Sequence, residues 1–324
     1  MRFGLQINPY LAGPTGNPWD GVEQVARVAD ESAFDSLWLY DHFLYEGGYS
    51  GHPFPEPVLE CFTTLGAIAA STRRIRLGQL VLGVPYRNPA LVAKMATTLD
   101  LLSHGRSIMG LGAGWHQREH EAYGWGAFEP APVRLGRLEE ALRVVLALWT
   151  ERPAHFEGTY YRLDRVWENP PPLQQPHPPI LIGGSGERVT LRLVAQYGQF
   201  CNVAGDPATV ERLFGRLREH CARVARPYDD ITRSIYATVI VGRDDAEVAA
   251  KRERLRDFIP RNGALIGTPG QLIAIFREYA HAGCQYVILR MPDWVDVAPV
   301  RLFAEQVIPA LAAPGTGEGR RTGV

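Results

Sequence analysis

The segment Arg74–Trp115, RIRLGQLVLGVPYRNPALVAKMATTLDLLSHGRSIMGLGAGW, contains the pattern that decides the fold. Ile75–Leu82 and Arg106–Gly112 are β-rich runs, and each predicts a strand. Between them, Pro89–Ser103 has a helical pattern, with Asn88 as its cap and proline in its first turn. A strand, a helix and a second strand joined by short loops predict two parallel neighbours in one sheet.

The same alternation extends in both directions along the chain. Six further strands are predicted at Phe3–Asn8, Ser36–Tyr40, Pro179–Ile182, Phe200–Val203, Ile231–Val241 and Gln285–Arg290. Eight strands alternating with helices in 324 residues favour a closed (β/α)8 TIM barrel over an open doubly wound sheet. No GxGxxG motif follows the first strand, which also weakens the doubly wound alternative. We expect one α/β barrel domain over residues 1–313 and a disordered tail at 314–324.

Composition excludes several classes of protein. The formal net charge is −1, so no basic field is present to hold nucleic acid or an anionic membrane. We expect no signal peptide, because the first residues contain no long apolar region, and no apolar run is long enough to predict a membrane span. The four cysteines are scattered without a CxxC pair, which favours buried thiols in the cytoplasm.

In a barrel of this kind, chemistry lies at the carboxyl ends of the strands. Asp41 and His42 follow the second predicted strand; histidine exchanges protons near neutral pH, and an adjacent carboxylate can orient it. Gly112 and Ala113 end the fourth strand, where small residues allow a flat ring to approach the backbone. Gly183–Gly186, with Ser185, leads into a helix predicted at Glu187–Tyr197. Such a turn is typical of a phosphate site, although it also fits an ordinary strand-to-helix connection.

Other barrel chemistries fit less well. His116 and His120 are four residues apart, but they lack the HExxH arrangement and an evident third ligand, so we predict no metal. Both lysines lie in predicted helices, which argues against a Schiff-base aldolase. The strand ends also lack the paired carboxylates of a glycosidase.

Five segments in this order resemble the luciferase-like monooxygenase family, in the branch that uses the deazaflavin coenzyme F420. They are SLWLYDHF (Ser36–Phe43), the run from Arg74 to Arg106, GLGAGW (Gly110–Trp115), RLEEALRVVLALWT (Arg137–Thr150) and PHPPILIGGSGE (Pro176–Glu187). The resemblance extends from Phe3 to about Arg290. It implies a barrel with insertions at its C-terminal face that form a lid over a flavin or deazaflavin.

The resemblance also implies roles for individual residues. His42 would lie beside the ring and Asp41 would help to place it. A bulge with a non-prolyl cis peptide would fall near Leu80–Val81, behind the ring. Gly112 and Ala113 would line the ring edge, and Gly183, Gly184, Ser185 and Gly186 would hold the phosphate.

Two departures from the family pattern bear on the cofactor and substrate. Trp115 stands where some deazaflavin dehydrogenases have an acidic proton donor, and no lysine near the rim could hold a sugar phosphate. The GAGW segment lacks the arginine with which FMN-using members pair their phosphate, which favours the deazaflavin.

Together these observations predict hydride transfer between coenzyme F420 and a small organic substrate, with His42 as the acid/base. Tyr10, Phe43, Tyr45 and Trp115 would form an apolar wall of the substrate pocket, although each could equally be packing. One alternative is an FMN-dependent monooxygenase that uses O2 and a separate reductase. Another is a flavin-binding carrier or sensor without enzyme activity. The resemblance further implies a homodimer.

Overall fold

Eight parallel strands close into a barrel in the computed structural model, which describes residues 1–7, 15–44, 58–260 and 263–312. The strands are β1 (Arg2–Ile7), β2 (Ser36–Leu39), β3 (Arg76–Gln79), β4 (Leu82–Gly83), β5 (Ser107–Gly112), β6 (Ala154–Glu157), β7 (Arg162–Val166), β8 (Ile180–Gly183), β9 (Phe200–Val203), β10 (Thr232–Val241), β11 (Leu265–Gly267) and β12 (Tyr286–Arg290). The barrel order is β1-β2-β3-β5-β8-β9-β10-β12, and β12 pairs with β1 in parallel. The predicted TIM barrel is therefore confirmed.

Helices surround the barrel and alternate with its strands. They are α1 (Pro18–Glu31), α2 (Cys61–Ser71), α3 (Pro89–Leu102), α4 (Gln117–Ala122), α5 (Ala131–Thr150), α6 (Thr190–Tyr197), α7 (Pro207–Arg223), α8 (Asp245–Arg254), α9 (Pro269–His281), α10 (Val297–Gln306) and α11 (Ile308–Leu311). Proline in the first turn of α1, α3, α5, α7 and α9 supplies the φ angle that a helix start needs. None of the helices in the described ranges is long and apolar enough to span a membrane.

Large side chains fill the interior of the barrel. Trp38 of β2 is fully buried there, among residues that include Leu181 and Tyr286. Gly78 on the neighbouring strand makes room for it, since a Cβ at that position would lie 2.4 Å from Trp38 Cζ3. The barrel is thus a packed core, and a ligand can bind only at its open end.

The structure corrects several boundaries. The helix predicted to begin at Glu187 begins at Thr190, because the peptides of Glu187–Val189 form turns. Further along, α10 and α11 are separate helices that meet at Val307, since Pro309 has no N–H to continue the first one. The short elements α4 and β11 were not predicted.

The two insertions within the described ranges lie in different places. The segment after β5 contributes Ala113, Trp115 and His116 to the open end of the barrel. The hairpin β6–β7 instead packs along the outside of α5, where Glu140 accepts hydrogen bonds from its tip. Only the first of these insertions borders the candidate site.

Candidate active site

A cavity of about 870 Å³ opens at the carboxyl ends of the barrel strands. Residues that follow β2, β3, β5 and β8 form one part of its wall, and these ends carry most of the predicted site residues. Gln6, Asn202, Tyr236 and Arg290 line it from β1, β9, β10 and β12. Its volume lies within the range usual for small-molecule sites.

A break between β3 and β4 shapes the floor of the cavity. The Leu80–Val81 peptide there is cis and non-prolyl, at the position that the family resemblance implied. Val81 projects toward β5 and β8, so that a Cβ on Gly112 would lie 2.6 Å from Val81 Cγ2 and one on Gly183 would lie 2.9 Å from Cγ1. Glycine is therefore needed at both positions to make room for Val81. The sequence analysis explained these glycines only by the approach of a ring and by a phosphate site.

His42 lines the cavity and is held by a carboxylate from another part of the chain. Its Nδ1 donates a hydrogen bond to Glu119 Oε2 over 3.0 Å, and its ring lies 4.9 Å from the ring of Tyr40. Tyr86 donates its hydroxyl to the same oxygen over 2.6 Å. The backbone amides of Phe43 and Leu44 donate to Glu119 Oε1. Glu119 thus fixes both the imidazole and the chain that follows it.

The surroundings of Glu119 keep it ionised. Burial raises the pKa of this carboxyl, but the hydrogen bond and charge of His42, with the donors of Tyr86 and Phe43, outweigh burial and lower the pKa to about 2. The Glu119 side chain is 0% exposed. A buried negative charge therefore lies directly behind the imidazole.

Asp41, the other predicted residue of this pair, belongs to a second charged group. Its Oδ2 accepts hydrogen bonds from the Gly83 amide and, over 2.7 Å, from Arg87. Arg87 also donates to Glu60 over 2.6 Å, and Glu60 caps the start of α2 through the Thr63 amide. Asp41 therefore ties the end of β2 to the bulge and to α2.

The two carboxyls differ in pKa. Burial raises the pKa of Asp41 above its ordinary value, and the hydrogen bond and charge of Arg87 and the Gly83 amide only partly oppose this. Asp41 Oδ1 is buried and has no hydrogen-bond partner within the described residues. Asp41 lines the cavity, and its buried Oδ1 is an acceptor that no described residue uses.

The glycine-rich turn after β8 also borders the cavity. Gly183, Gly184 and Ser185 line it, whereas Gly186 does not. The Gly186 carbonyl instead accepts the Leu191 amide at the start of α6. The amides of Ser185, Gly186 and Glu187 donate no hydrogen bond to any described residue. The turn thus retains free backbone donors, although the helix begins later than predicted.

The aromatic residues predicted for the pocket wall are separated. Trp115 borders the cavity, is 65% exposed, and its ring lies 5.5 Å from that of His42. The structure places Phe43 outside the cavity, against the rings of Tyr86 and Trp125, although its neighbours His42 and Leu44 both line it. Tyr10 and Tyr45 lie outside the described residues.

An arginine does reach the end of β5, although the GAGW segment contains none. Arg134 Nε, from α5, donates to the Gly114 carbonyl over 3.2 Å, and its guanidinium also donates to the Glu129 carbonyl. Its side chain does not line the cavity. The two carbonyls, rather than a ligand phosphate, occupy these donors.

One group of side chains has the composition of a metal site. Ligand atoms of His42, His116 and Glu119 all lie within 4.8 Å of one another. Glu119 Oε2 already accepts hydrogen bonds from His42 and Tyr86, and it lies 3.8 Å from His116 Nδ1. Hydrogen bonds from protein groups explain the position of the Glu119 carboxylate, and we assign no metal to these three side chains.

The sequence analysis missed Arg87 and Glu119 as site residues. Neither residue follows a predicted strand directly, and neither belongs to a motif that indicates its partner. Their partners are 46 and 77 residues away in sequence. The one local signal for Glu119 is a carboxylate directly before His120 and four residues after Trp115, in a segment with no predicted element.

Comparison with known proteins gives similar sequences of known activity. The F420-dependent glucose-6-phosphate dehydrogenase of Amycolatopsis mediterranei is 27% identical, over 97% of this chain and 100% of that protein. The phthiodiolone/phenolphthiodiolone dimycocerosates ketoreductase of Mycobacterium sp. (strain JLS) is 33% identical, over 80% of this chain and 71% of that protein.

Solved structures share the fold. An F420-dependent secondary alcohol dehydrogenase, in complex with an F420-acetone adduct, superposes with a TM-score of 0.79 at 21% identity, covering 96% of this chain and 99% of that one. A monooxygenase from Streptomyces bottropensis gives a TM-score of 0.80 at 24% identity, covering 96% and 100%. The model of the family described as luciferase-like monooxygenase matches residues 1–261. This chain therefore belongs to the luciferase-like monooxygenase family.

Proposed function

We propose that this protein is an oxidoreductase that transfers a hydride between coenzyme F420 and a small organic substrate, with His42 as the acid/base. The observation that carries the proposal is the position of His42. Its imidazole lines the cavity, a buried carboxylate holds Nδ1, and Nε2 forms no hydrogen bond with any described residue. Several relatives are F420-dependent glucose-6-phosphate dehydrogenases, which supports the choice of coenzyme.

The cavity fits a deazaflavin by its donors and acceptors. Asp41 Oδ1 is an acceptor without a partner among the described residues, and the amides of Ser185–Glu187, in the turn after β8, are donors without one. We assign the ring to the surface formed by Leu80, Val81, Gly112 and Ala113. We assign the phosphate to the turn of Gly183, Gly184 and Ser185, with Gly186 contributing its amide alone. When bound, the deazaflavin supplies a carbon that accepts or donates a hydride.

The protein's own residues manage the proton. In the oxidation of an alcohol, the substrate carbon gives up its hydride, the O–H bond breaks, and the proton passes to His42 Nε2 as the carbonyl forms. In the reduction of a carbonyl, the same nitrogen returns the proton to the oxygen. Glu119 accepts from Nδ1 throughout and keeps the ring in place, while Trp115 shields one side of the imidazole.

A fluorescence titration of the purified protein with oxidised coenzyme F420, and separately with FMN, tests the choice of coenzyme. We expect tight binding of F420 alone. A preference for FMN would replace the proposal with the oxygen-using monooxygenase, to be followed by oxygen uptake. Binding of neither would refute the assignment of the Gly183–Gly186 turn.

Replacement of His42 by alanine tests the role of the imidazole. We expect the affinity for F420 to stay within a few-fold, and turnover to fall by about 10²-fold or more. Unchanged turnover would remove His42 from the mechanism. Coenzyme binding without turnover over a broad panel of alcohols and ketones would favour the carrier or sensor.

We also propose that residues 1–313 form one domain, with 314–324 outside it, and that the protein is a cytoplasmic homodimer. The Met1 amino group donates to the Leu311 carbonyl, which joins the two ends of residues 1–313. Four buried free cysteines favour a reducing compartment, and the net charge of −1 favours neither nucleic acid nor membrane as a partner. Light scattering coupled to gel filtration tests the dimer.

A further inference from the structure

Glu119 has a complete set of hydrogen-bond donors. Oε1 accepts from two backbone amides, of which Leu44 lies at 2.8 Å, and Oε2 accepts from Tyr86 and His42. An ionised carboxylate can only accept, so each of these groups must donate to it. The hydrogen bond with His42 therefore requires a proton on Nδ1.

This requirement decides the tautomer of the imidazole. A neutral histidine carries one N–H, and a proton on Nδ1 leaves a lone pair on Nε2. We propose that Glu119 is a positioning residue that holds neutral His42 in the Nδ1–H tautomer, which makes Nε2 the nitrogen that accepts the substrate's proton. The tautomer follows from the geometry of the chain, whereas its use in catalysis rests on the function proposed above.

The substitution Glu119→Gln changes this requirement in a defined way. The Phe43 and Leu44 amides are donors, so the amide oxygen of the new side chain must face them. Its NH2 group then occupies the position of Oε2 and donates toward His42 Nδ1. Nδ1 can accept this hydrogen bond only as a bare nitrogen, and we therefore expect the proton of neutral His42 to move to Nε2.

Nitrogen-15 NMR of histidine-labelled protein measures the tautomer without substrate or coenzyme. The His42 signals are identified as those that disappear in His42→Gln. They are followed upward to about pH 10, until they no longer change with pH and report the neutral ring. In the wild type we expect a protonated Nδ1 and a bare Nε2 for the neutral ring. In Glu119→Gln we expect the reverse assignment.

Glu140→Gln is the matched control. Glu140 is also a buried carboxylate that accepts backbone amides, those of Thr159, Tyr160 and Tyr161, but it does not line the cavity. We expect its replacement to leave the His42 signals unchanged, which separates positioning from a general loss of packing.

Two results would overturn the proposal. One is a wild-type His42 whose neutral ring carries its proton on Nε2, a result that needs no variant to fold. The other is an unchanged tautomer in a folded Glu119→Gln protein. The coenzyme titration is independent, so a failure to bind F420 would refute the proposed function and leave the tautomer result standing.

Discussion

Arg87 offers the most direct test of how the site is held together. Its guanidinium is largely buried and bonds Asp41 over 2.7 Å and Glu60 over 2.6 Å. Replacement by methionine keeps an unbranched apolar side chain beside the rings of Phe43 and Phe62. In this variant the Gly83 amide is the one hydrogen-bond donor left to Asp41 among the described residues, and the Asp41 side chain is only 1% exposed.

The expected cost follows from that burial. Removing one partner of a buried ion pair costs about 3–5 kcal/mol, because the other charge stays buried and unpaired. Asp41→Asn removes the charge, so the double variant Asp41→Asn, Arg87→Met should be more stable than the sum of the single losses predicts. We expect a coupling of about 2 kcal/mol, well above the roughly 0.5 kcal/mol within which independent sites add.

The pH dependence gives a second measure of the same pair. Burial already holds the pKa of Asp41 above its ordinary value, and loss of Arg87 removes the main groups that oppose this rise. A carboxyl whose pKa is raised on folding is compatible with the fold when it is protonated, and its cost grows as pH rises through the folded pKa. The deficit of Arg87→Met should therefore be larger at pH 8 than at pH 5.

Unfolding in guanidinium chloride, followed by far-UV circular dichroism, measures the coupling energy and the pH dependence of the Arg87→Met deficit. The comparison requires that the free energy of unfolding depend on denaturant concentration with the same slope in all variants. The control is Arg192→Met, which breaks a partly exposed pair with Glu139 and should cost no more than about 1 kcal/mol. Additive losses, or a deficit for Arg87→Met that does not change with pH, would refute this account of Asp41.

Three further predictions follow from the structure. Gly112→Ala should lower the free energy of unfolding by about 1–3 kcal/mol, because its Cβ would lie 2.6 Å from Val81 Cγ2. Gly66→Ala, at a position on α2 with nothing within reach of a Cβ, should raise it by up to about 1 kcal/mol. Thermal unfolding of the two variants makes the comparison. The ionised Glu119 stabilises the fold because its pKa is lower in the folded state, and this contribution is lost as pH falls from about 4.5 to 2. The difference in free energy of unfolding between wild type and Glu119→Gln should therefore shrink by about 3 kcal/mol over that range. A constant difference in acid unfolding curves would contradict this. Ser185→Ala should weaken F420 binding by up to about tenfold, the loss of one hydrogen bond, and an unchanged fluorescence titration would exclude Ser185 from the phosphate site.

The sequence was sufficient for the barrel because its pattern is local. Each strand and helix has its own periodicity and caps, and their alternation leaves few topologies. The rim positions followed from the strand ends, which explains why His42, Asp41 and Gly183 lie together at the cavity. The position of the cis peptide came instead from the family resemblance.

The partners of these residues could not be predicted, because they are set by tertiary packing. Glu119 reaches His42 from α4, a helix of six residues in a segment without a strong periodic pattern. Phe43 illustrates the converse error. It lies between His42 and Leu44, which line the cavity, but its ring packs against Tyr86 and Trp125 outside the cavity.

The two carboxyls around His42 show how one kind of environment produces two different groups. Burial raises the pKa of both, so burial alone cannot explain why the pKa of Glu119 falls to about 2 while that of Asp41 rises. The difference lies in their donors, since Glu119 receives them on both oxygens and Asp41 only on Oδ2. The carboxylate with every acceptor position in use can orient the imidazole but cannot bind a ligand. Asp41 receives donors on one oxygen only, and the difference in pKa between the two carboxyls therefore reflects the number of their donors and not the depth of their burial.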